Sequence, residues 1–357
     1  MTDSVYLGNP NLKKANTPIE FTPDQVQEFI KCKGDPVYFA RNYIKIVSLD
    51  EGLVPFSMYD FQEEMVRCFH KNRFNIAKLP RQTGKSTTVV SYLLHYIIFN
   101  DNVNIGILAN KASTSRELLS RLQLAYENLP RWMQHGILAW NKGNVELENG
   151  SKILAASTSS SAVRGMSFNI IFLDEFAFVP NHIAEQFFSS VYPTISSGKS
   201  TKVIIISTPN GMNMFYKLWH DAERGKNEYT TTEVHWSQVP GRDAAWKEQT
   251  IANTSQRQFT QEFECEFLGS VDTLITASKL RMMVYEDPLE RRNGLDVYQA
   301  PIPDHEYVMT VDVSRGVSND YSAFVVVDIT TIPYRVVAKY KNNMIKPLLF
   351  PNIIEPV

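Results

Sequence analysis

A glycine-lysine-serine triplet stands where an apolar strand pattern gives way to a helical one. The segment 80–86 reads Pro-Arg-Gln-Thr-Gly-Lys-Ser and is followed by a long apolar stretch. At such a turn, backbone N–H groups and the helix N-terminus hold phosphate oxygens. Lys85 is suited to reach the outer phosphates, and Ser86 to bind magnesium. Leu79 replaces the first glycine of the full pattern, so a second element is needed to support this interpretation.

Two carboxylates supply that second element. Residues 169–175 read Asn-Ile-Ile-Phe-Leu-Asp-Glu and follow the triplet by about ninety positions. An uninterrupted apolar run predicts a buried parallel strand, whose C-terminal end faces a ligand crevice. Asp174 is predicted to hold magnesium through water, and Glu175 to polarise the attacking water. A lone Asp-Glu pair is also typical of a solvated turn, but behind a phosphate loop it predicts an ATP hydrolase.

Further side chains are candidates for binding the nucleotide. Gln62 can pair its amide with the adenine edge and Tyr59 can pack on the base, although a surface helix start is the alternative. Arg81 can reach the γ-phosphate from within the loop. Arg164 is either an arginine finger for a neighbouring subunit's ATP or a solvated loop residue. The predicted ATP-binding residues are Tyr59, Gln62, Arg81, Gln82, Thr83, Gly84, Lys85 and Ser86.

Two later strand ends also carry polar groups. Ser207 and Thr208 end an apolar run, where their hydroxyls can relay loss of the γ-phosphate, or else form an ordinary turn before Pro209. Asp312 lies within a predicted strand, as the first metal ligand of a ribonuclease-H-like site does. Two-metal cleavage needs several such carboxylates, and a strand-end aspartate is commonly a turn former.

Composition limits the classes of protein that fit. The chain has 357 residues, enough for two domains, and its net charge of −2 argues against permanent charge-driven attachment to nucleic acid. The three cysteines (Cys32, Cys68, Cys265) have neither metal-ligand spacing nor a disulfide pattern, which favours a reducing cytoplasm. The apolar run 89–99 is too short to span a bilayer.

The predicted elements alternate between strands and helices, which indicates an α/β fold with a mostly parallel sheet flanked by helices. Residues 114–117 (Thr-Ser-Arg-Glu) predict a helix capping box, and Asn149-Gly150 predicts a tight hairpin turn. Further on, five aromatic residues predict the anchors of a helical region: Trp236, Trp246, Phe259, Phe263 and Phe267.

Taken in order, these motifs resemble one family. They are Gln62, the loop 80–86, residues 162–165 (Ala-Val-Arg-Gly), 170–175, 207–211 (Ser-Thr-Pro-Asn-Gly) and 310–312 (Thr-Val-Asp). Their order resembles the large subunit of the DNA-packaging terminase of tailed bacteriophages, especially the contractile-tailed (myovirus) group. The resemblance runs from about residue 20 to the end of the chain.

The resemblance implies a motor that uses ATP and Mg²⁺ to drive double-stranded DNA into a prohead. Its implied partners are the portal protein, the small terminase subunit and further copies in a homo-oligomeric ring, in the host cytoplasm and away from membranes. It also implies that Glu175, Arg81 and Arg164 are catalytic, that Ser86 and Asp174 hold the metal, and that Ser207 and Thr208 couple hydrolysis to movement. Asp312 would be the first Mg²⁺ or Mn²⁺ ligand of a nuclease.

The composition along the chain predicts a domain organisation. The polar segment 1–20 is predicted to be a flexible tail, and the charged, proline-containing stretch 285–305 a linker. Between them lie a P-loop ATPase core at 21–235 and a small helical subdomain at 236–284. An incomplete ribonuclease-H-like domain follows at 306–357, because the family's nuclease continues past its first carboxylate. A truncated product, a fragment or one exon of an interrupted gene would each explain this length.

Two other functions fit part of the pattern. A superfamily-two helicase also combines an upstream glutamine, a P-loop, an Asp-Glu pair and a Ser/Thr motif, but it continues into a second P-loop-like domain. An assembly factor that uses nucleotide only to dock on a capsid portal would not need both Lys85 and Glu175.

Overall fold

The computed structural model describes residues 4–48, 50–159, 166–267, 286–317 and 320–355. The chain divides into two compact units, Met1–Ala277 and Ser278–Val357. No helix in these described ranges is both long and apolar enough to cross a membrane.

The first unit contains twelve described strands and nine described helices. The strands are β1 (Val5–Tyr6), β2 (Asn9–Lys13), β3 (Lys45–Ser48), β4 (Gly52–Pro55), β5 (Phe74–Lys78), β6 (Asn104–Ala109), β7 (Ile137–Trp140), β8 (Asn144–Leu147), β9 (Lys152–Ser157), β10 (Ile170–Asp174), β11 (Lys202–Ser207) and β12 (Thr230–Glu233). The helices are α1 (Pro23–Gly34), α2 (Pro36–Tyr43), α3 (Asp60–Lys71), α4 (Lys85–Phe99), α5 (Ala112–Glu127), α6 (Asn181–Ser197), α7 (Met214–Glu223), α8 (Ala244–Asn253) and α9 (Gln256–Glu262).

Eight of these strands form one sheet in the order β12-β5-β11-β10-β6-β9-β8-β7. The strands from β12 to β9 are parallel, whereas β8 and β7 add an antiparallel edge. The predicted α/β class is confirmed. Because β10 and β11 return between β5 and β6, the C-terminal ends of β5, β11 and β10 lie side by side. Such a reversal of strand order creates the crevice where ligands bind in open α/β sheets.

Both faces of the sheet are covered, which explains the continuous apolar runs in its strands. Ile170 and Phe172 point into a core shared with α1 to α5, and the alternate residues Ile171 and Leu173 point into a second core with α6 and α7. Every residue of β5 and of β10 is buried. The loop that follows each strand therefore starts from a fixed position.

Within the segment 1–20, which was predicted to be a flexible tail, the described residues 5–13 form regular structure. β1 and β2 pair as an antiparallel hairpin, and Leu12 is buried in the core. Lys13 Nζ lies 2.9 Å from Glu148 Oε1, and Lys14 bridges to Ile137 at the edge of the large sheet. The polar composition misled the prediction, because an edge hairpin needs few apolar residues and gains main-chain hydrogen bonds where it joins the sheet.

The two local predictions in the middle of the chain had different outcomes. The Asn149-Gly150 turn joins β8 to β9 with Gly150 at φ 79°, as a tight hairpin requires. The capping box at 114–117 is wrong, since α5 already starts at Ala112 and Ser115 Oγ donates to the Ala112 carbonyl at 3.0 Å. A hydroxyl within a first helical turn can bond back to the preceding turn instead of capping it.

The aromatic residues of the helical region pack together as predicted. The Trp236 and Trp246 rings stack with centroids 5.8 Å apart, and Phe259, which is fully buried, contacts both. Phe267 contacts Phe215 of α7 instead, so residues 236–267 are joined to the second core of the large sheet. The rest of the predicted subdomain, 268–284, lies outside the described residues, and its boundaries stay a prediction.

The second unit is built on a five-stranded antiparallel sheet. Its elements are β13 (Glu290–Arg292), β14 (Leu295–Val297), β15 (Tyr307–Asp312), β16 (Ser322–Asp328), β17 (Arg335–Asn342) and the short helix α10 (Pro351–Ile354). The order is β13-β14-β17-β16-β15. Phe324, Tyr340 and Phe350 form its small aromatic core. The ribonuclease-H-like assignment of this sheet stays a prediction.

Part of the predicted linker 285–305 belongs to this sheet. β13 and β14 form a hairpin that pairs with β17, and Leu295 is buried. The turn is Asn293-Gly294, with φ values of 47° and 89°. The charged residues around this turn led to the prediction of a linker. Asn-Gly is nevertheless a hairpin signal, and the same dipeptide correctly predicted the hairpin at Asn149-Gly150.

Candidate active site

The phosphate loop joins β5 to α4 through a backbone that needs glycine at one position. Gly84 lies at φ 70°, and a Cβ there would lie 2.6 Å from Gln62 Nε2. Gln82 also has a positive φ of 57°. Thr83 Oγ1 donates to the Pro80 carbonyl at 3.1 Å and closes the loop on itself. The loop therefore holds a tight turn at the N-terminus of α4, which is the geometry that binds phosphate.

Gln62 supports this loop from α3. Its Nε2 donates to the Thr83 carbonyl at 2.9 Å, and its Oε1 accepts the Tyr59 N–H at 2.9 Å. Only 2% of Gln62 is exposed, whereas Tyr59 is 38% exposed. Gln62 thus joins the phosphate loop to the start of α3, with one end of its amide on each. Its predicted contact with adenine, and that of Tyr59, stay predictions.

Lys85 and Glu175 meet in one crevice although ninety positions separate them. Lys85 Nζ lies 2.8 Å from Glu175 Oε1, and only 9% of the lysine side chain is exposed. The ammonium group has no hydrogen bond of proper geometry to any described residue. It is a largely desolvated cation held by one carboxylate, ready to accept a stronger anion.

Asp174 ends β10 beside this pair. Burial raises the pKa of its carboxyl to about 7, the Glu175 charge adds to the rise, and Lys85 opposes it. Its Oδ1 is buried and has no hydrogen-bond partner among the described residues. An unpaired buried carboxylate is costly, and a bound cation would relieve that cost.

Glu175 has a backbone conformation that few side chains adopt. Its φ is 49°, in the left-handed region, at the turn between β10 and the 3₁₀ turn Phe176–Phe178. Non-glycine residues there carry strain of order 1–3 kcal/mol, and such strain concentrates at functional sites. The turn brings the Glu175 carboxylate between Lys85 and the end of β11.

The end of β11 links the two halves of the site. Ser207 Oγ accepts the Ala177 N–H at 3.1 Å and donates to Glu175 Oε2 at 3.5 Å. The Leu79 N–H, before the phosphate loop, donates to the Ser207 carbonyl at 3.3 Å. Thr208 is fully buried, and its hydroxyl has no partner among the described residues. These contacts are consistent with the coupling role, which stays a prediction.

Sequence reasoning missed two residues that contact the phosphate loop, Glu262 and Arg242. Arg81 Nε lies 2.5 Å from Glu262 Oε2 at the end of α9. Arg242 Nη2 donates to the carbonyls of Arg81 and Gln82 at 3.1 and 3.0 Å. Neither Glu262 nor Arg242 lies in a recognisable motif, and each is more than 150 residues from the loop, so no local signal pointed to them.

The remaining predicted residues lie elsewhere. Ser86 occupies the first turn of α4, whereas Arg164 lies outside the described residues. In the second unit, Asp312 ends β15 and lines a cavity of about 530 Å³ with Ser314, Arg315 and Asp320. No group of three or more His, Cys, Asp or Glu residues in the described ranges has the geometry to hold a metal ion.

Comparison with known proteins places this geometry in a family. The family model for the terminase large subunit, T4likevirus-type, N-terminal, matches residues 76–282. The chain is 27% identical over 184 residues to the terminase large subunit of Thermus virus P23-45, an alignment that covers 47% of this chain and 36% of that protein. It is 22% identical over 167 residues to tripartite terminase subunit 3 of human herpesvirus 8, covering 43% and 22%. The chain thus spans about a third or less of the length of these relatives.

Solved structures share the fold. The HK97 bacteriophage large terminase matches with a TM-score of 0.59 and 15% identity, over 86% of this chain and 67% of that one. A point mutant of the large terminase ATPase domain of Thermus phage P74-26 matches with a TM-score of 0.52 and 19% identity, over 59% of this chain and 95% of that one. The resemblance inferred from the motifs is confirmed: because the family model covers more than half of its length, this chain belongs to the large-subunit family of T4-like terminases.

Proposed function

We propose that this chain is the ATP-driven motor subunit that moves viral double-stranded DNA into a prohead through the portal. The observation that carries the proposal is the 2.8 Å contact between Lys85 Nζ and Glu175 Oε1 beside a phosphate loop. In a terminase large subunit, that pair is suited to bind the triphosphate and to activate water. Membership of the terminase large-subunit family supports DNA and the portal as the proposed partners.

Binding of ATP separates the pair. The phosphates take Lys85 from Glu175, because a triphosphate carries more charge than one carboxylate. The freed Glu175 carboxylate then orients the attacking water, with Ser207 holding its other oxygen. Tyr59 packs on the base and Gln62 fixes the loop. Arg81, and Arg164 of a neighbouring copy, stabilise the charge that develops on the γ-phosphate.

Ser86 and Asp174 fit a magnesium ion. The buried Asp174 Oδ1 has no hydrogen-bond partner among the described residues. Burial, and then the Glu175 charge, raise the pKa of this carboxyl to about 7. Oxygen ligands of this kind suit Mg²⁺. When bound, the ion neutralises charge on the outer phosphates.

The remaining proposals follow from the family. The partners include the small terminase subunit and other copies of the chain in a ring on the portal, in the host cytoplasm. Asp312 is proposed as a ligand of Mg²⁺ or Mn²⁺ at an endonuclease site, supported by its position at the end of β15 beside a polar cavity.

A packaging assay with matched variants tests the proposal. Wild-type protein, empty proheads, linear DNA and ATP should give DNase-protected DNA and phosphate release. Glu175→Gln should still bind ATP but lose hydrolysis and packaging by about 100-fold or more, since the general base is gone. The exposed Glu185→Gln on α6 is the control and should behave as wild type.

Two results would redirect the assignment. Unwinding of a forked duplex without DNA protection would favour the helicase alternative. Full packaging by Glu175→Gln would favour the assembly factor, which needs nucleotide only for docking.

A further inference from the structure

Lys78 is a buried cation at the end of β5, two residues before the phosphate loop begins at Pro80. Only 10% of its side chain is exposed, and its Nζ lies 2.7 Å from Glu233 Oε1 on the neighbouring strand β12. The same Nζ lies over the rings of Trp219 and Phe267, 4.9 and 5.4 Å from their centroids. Attraction between a cation and an aromatic ring is stronger where water is excluded. Lys78 therefore holds both rings to the strand that precedes the loop.

Helix α7 also contacts Phe267. The Phe267 ring lies 5.9 Å from that of Phe215 and 5.1 Å from that of Tyr216, both in the first turn of α7. Only 7% of Phe267 is exposed. Two residues earlier, Cys265 has a φ of 55°, a conformation that costs free energy for a residue other than glycine. Such a turn persists where the surrounding contacts stabilise it, as those of Phe267 do.

The start of α7 is bonded to the carboxylate side of the crevice. Asn213 caps this helix, and its Oδ1 accepts two N–H groups of the first turn at 3.0 and 3.3 Å. Its Nδ2 donates to the carbonyls of Ala177 and Asn210 at 2.5 and 2.9 Å. Ala177 follows Glu175 by two positions. The strand of the phosphate loop and the segment after Glu175 thus both reach Phe267.

Phe267 is the last described residue of the second core along the chain. The first unit ends ten residues later at Ala277, and the second unit begins at Ser278. The covalent path from the phosphate loop to the second unit therefore runs through the residues that follow Phe267. Fastening Phe267 shortens the length of chain that can extend between the two units. A short connection transmits movement better than a long and compliant one.

We propose that Lys78 is a positioning residue that fastens the chain leading to the second unit to the strand of the phosphate loop, so that ATP turnover is converted into DNA movement. The inference rests on the proposed function, in which the first unit hydrolyses ATP and the whole chain moves DNA. Lys78 lies on the face of β5 that also carries Phe74 and Ile76, where Glu233 and the two rings engage it. It is therefore needed for coupling and not for hydrolysis.

Loss of the Lys78 charge removes one attachment of Phe267. The connection between the units then becomes longer and more compliant, and movement of the first unit is partly absorbed in it. Hydrolysis continues, because Lys85, Glu175 and the phosphate loop are unchanged. The variant protein thus consumes ATP without moving DNA efficiently.

Lys78→Leu in the packaging assay tests this inference. Leucine keeps an apolar side chain on the buried strand but removes the cation that lies over the two rings. Phosphate release should stay within about twofold of the wild type, whereas the length of DNA protected per ATP hydrolysed should fall about fivefold or more, as expected for loss of a desolvated cation–π contact. Full-length chain, empty proheads and linear DNA give both quantities in one reaction.

Two further variants make the test specific. Lys78→Arg keeps the charge in a planar group that stacks on aromatic rings, and should restore the DNA length per ATP to within about twofold of the wild type. Glu233→Gln removes the 2.7 Å ion pair but leaves the cation over the rings, and should change neither quantity. The inference is overturned if Lys78→Leu lowers hydrolysis and packaging in parallel, if Lys78→Arg does not restore coupling, or if Glu233→Gln uncouples the two equally.

Hydrogen exchange separates this inference from the function on which it rests. In the full chain, Lys78→Leu should speed amide exchange in the peptide that contains Cys265 and Phe267, while peptides from β10 and β11 keep wild-type protection and show that the sheet is folded. If the wild-type protein does not package DNA with ATP, the proposed function fails and the inference fails with it. If it does, but Lys78→Leu keeps its DNA length per ATP or its protection at Phe267, the inference alone is wrong.

Discussion

At the scale of single residues, the crevice combines buried polar atoms that lack hydrogen-bond partners with a strained backbone. Lys85 Nζ and Asp174 Oδ1 are buried without hydrogen bonds to any described residue, and Glu175 holds a strained backbone angle. Each feature costs free energy in the nucleotide-free protein. Together they favour an anionic ligand accompanied by a cation, since both partners relieve the cost. These features support the proposal that the site binds a triphosphate together with a metal ion.

Lys85→Ala should abolish binding and hydrolysis of ATP, because Lys85 is the residue of α4 proposed to neutralise the outer phosphates. Lys217→Ala, an exposed lysine on α7, is the control and should leave both unchanged. Fluorescent-nucleotide binding and phosphate release measure the two properties. Wild-type turnover by Lys85→Ala would contradict the assignment of the phosphate loop.

Gly84→Ala should weaken ATP binding by more than about tenfold, for two reasons. The added methyl group would lie too close to Gln62 Nε2, and alanine disfavours the positive φ of this position. Gly225 has a similar φ of 66° but open space around its Cβ position. Gly225→Ala should therefore cost about 1 kcal/mol of stability without changing nucleotide affinity. Thermal unfolding and nucleotide titration compare the two variants. Equal affinities would show that the loop does not need this glycine.

At the scale of elements, sequence reasoning succeeded where the signal was local. The loop 80–86 and the run 169–175 could be assigned because a strand, a turn and its chemistry occupy consecutive positions. Their meeting could be anticipated because the C-terminal ends of parallel strands share one edge. Glu262 and Arg242 could not be found, since their partners are fixed only by the packing of α8 and α9. The hairpin at Asn293-Gly294 could have been found, but charge was given more weight than turn chemistry.

The N-terminal hairpin should resist proteolysis, contrary to the flexible tail predicted from composition. Trypsin should cleave after Lys13 and Lys14 more slowly than after Lys226, which lies in an exposed turn. Leu12→Asp should abolish this protection, because it places a charge in the core, whereas Leu7→Asp at an exposed position should preserve it. Mass spectrometry of timed digests gives the order of cleavage. Equal early cleavage at all three sites would restore the flexible tail.

Helix α4 introduces a pH dependence through His95. Burial lowers the pKa of this imidazole to about 4, and its Nε2 lies 2.9 Å from the Cys32 carbonyl. A histidine with a lowered pKa in the folded state contributes stability above pH 6.5 that is lost as the pH falls. Between pH 7.5 and 5 the loss should be about 2 kcal/mol. His70 and Asp35 are the neighbouring titratable groups.

Urea unfolding at several pH values checks this expectation. His95→Leu should be less stable at neutral pH, because the hydrogen bond is lost, but its stability should depend less on pH between 7.5 and 5. An unchanged pH dependence in His95→Leu would assign the effect to other groups.

At the scale of the whole molecule, each unit has a core of its own. The first is organised by the eight-stranded sheet and the second by Phe324, Tyr340 and Phe350. Since the phosphate loop lies within the first unit, nucleotide binding energy should stabilise that unit only. The family match at residues 76–282 ends close to the division between the units.

Differential scanning calorimetry should therefore separate two transitions. ATP with magnesium at about 100 times its dissociation constant should stabilise the first unit by about 2.7 kcal/mol and leave the second transition unchanged. Leu295→Ala should reduce the free energy of unfolding of the second unit alone, by roughly 2–5 kcal/mol, because it leaves a cavity in the small core. A single transition that moves as a whole in both experiments would show that the units unfold together.

The strand that precedes the phosphate loop is held firmly within the sheet. β5 is bonded along its length to β11 on one side and β12 on the other, and all its residues are buried. A strand held in this way is a stiff support that resists sliding along its own axis. In the proposed motor, movement driven by ATP would therefore be carried by the turns and the helices at the sheet edge rather than by the strand itself. If the chain is the proposed motor, the sheet would be its fixed part, and the segments attached to the sheet edge would be the parts that move.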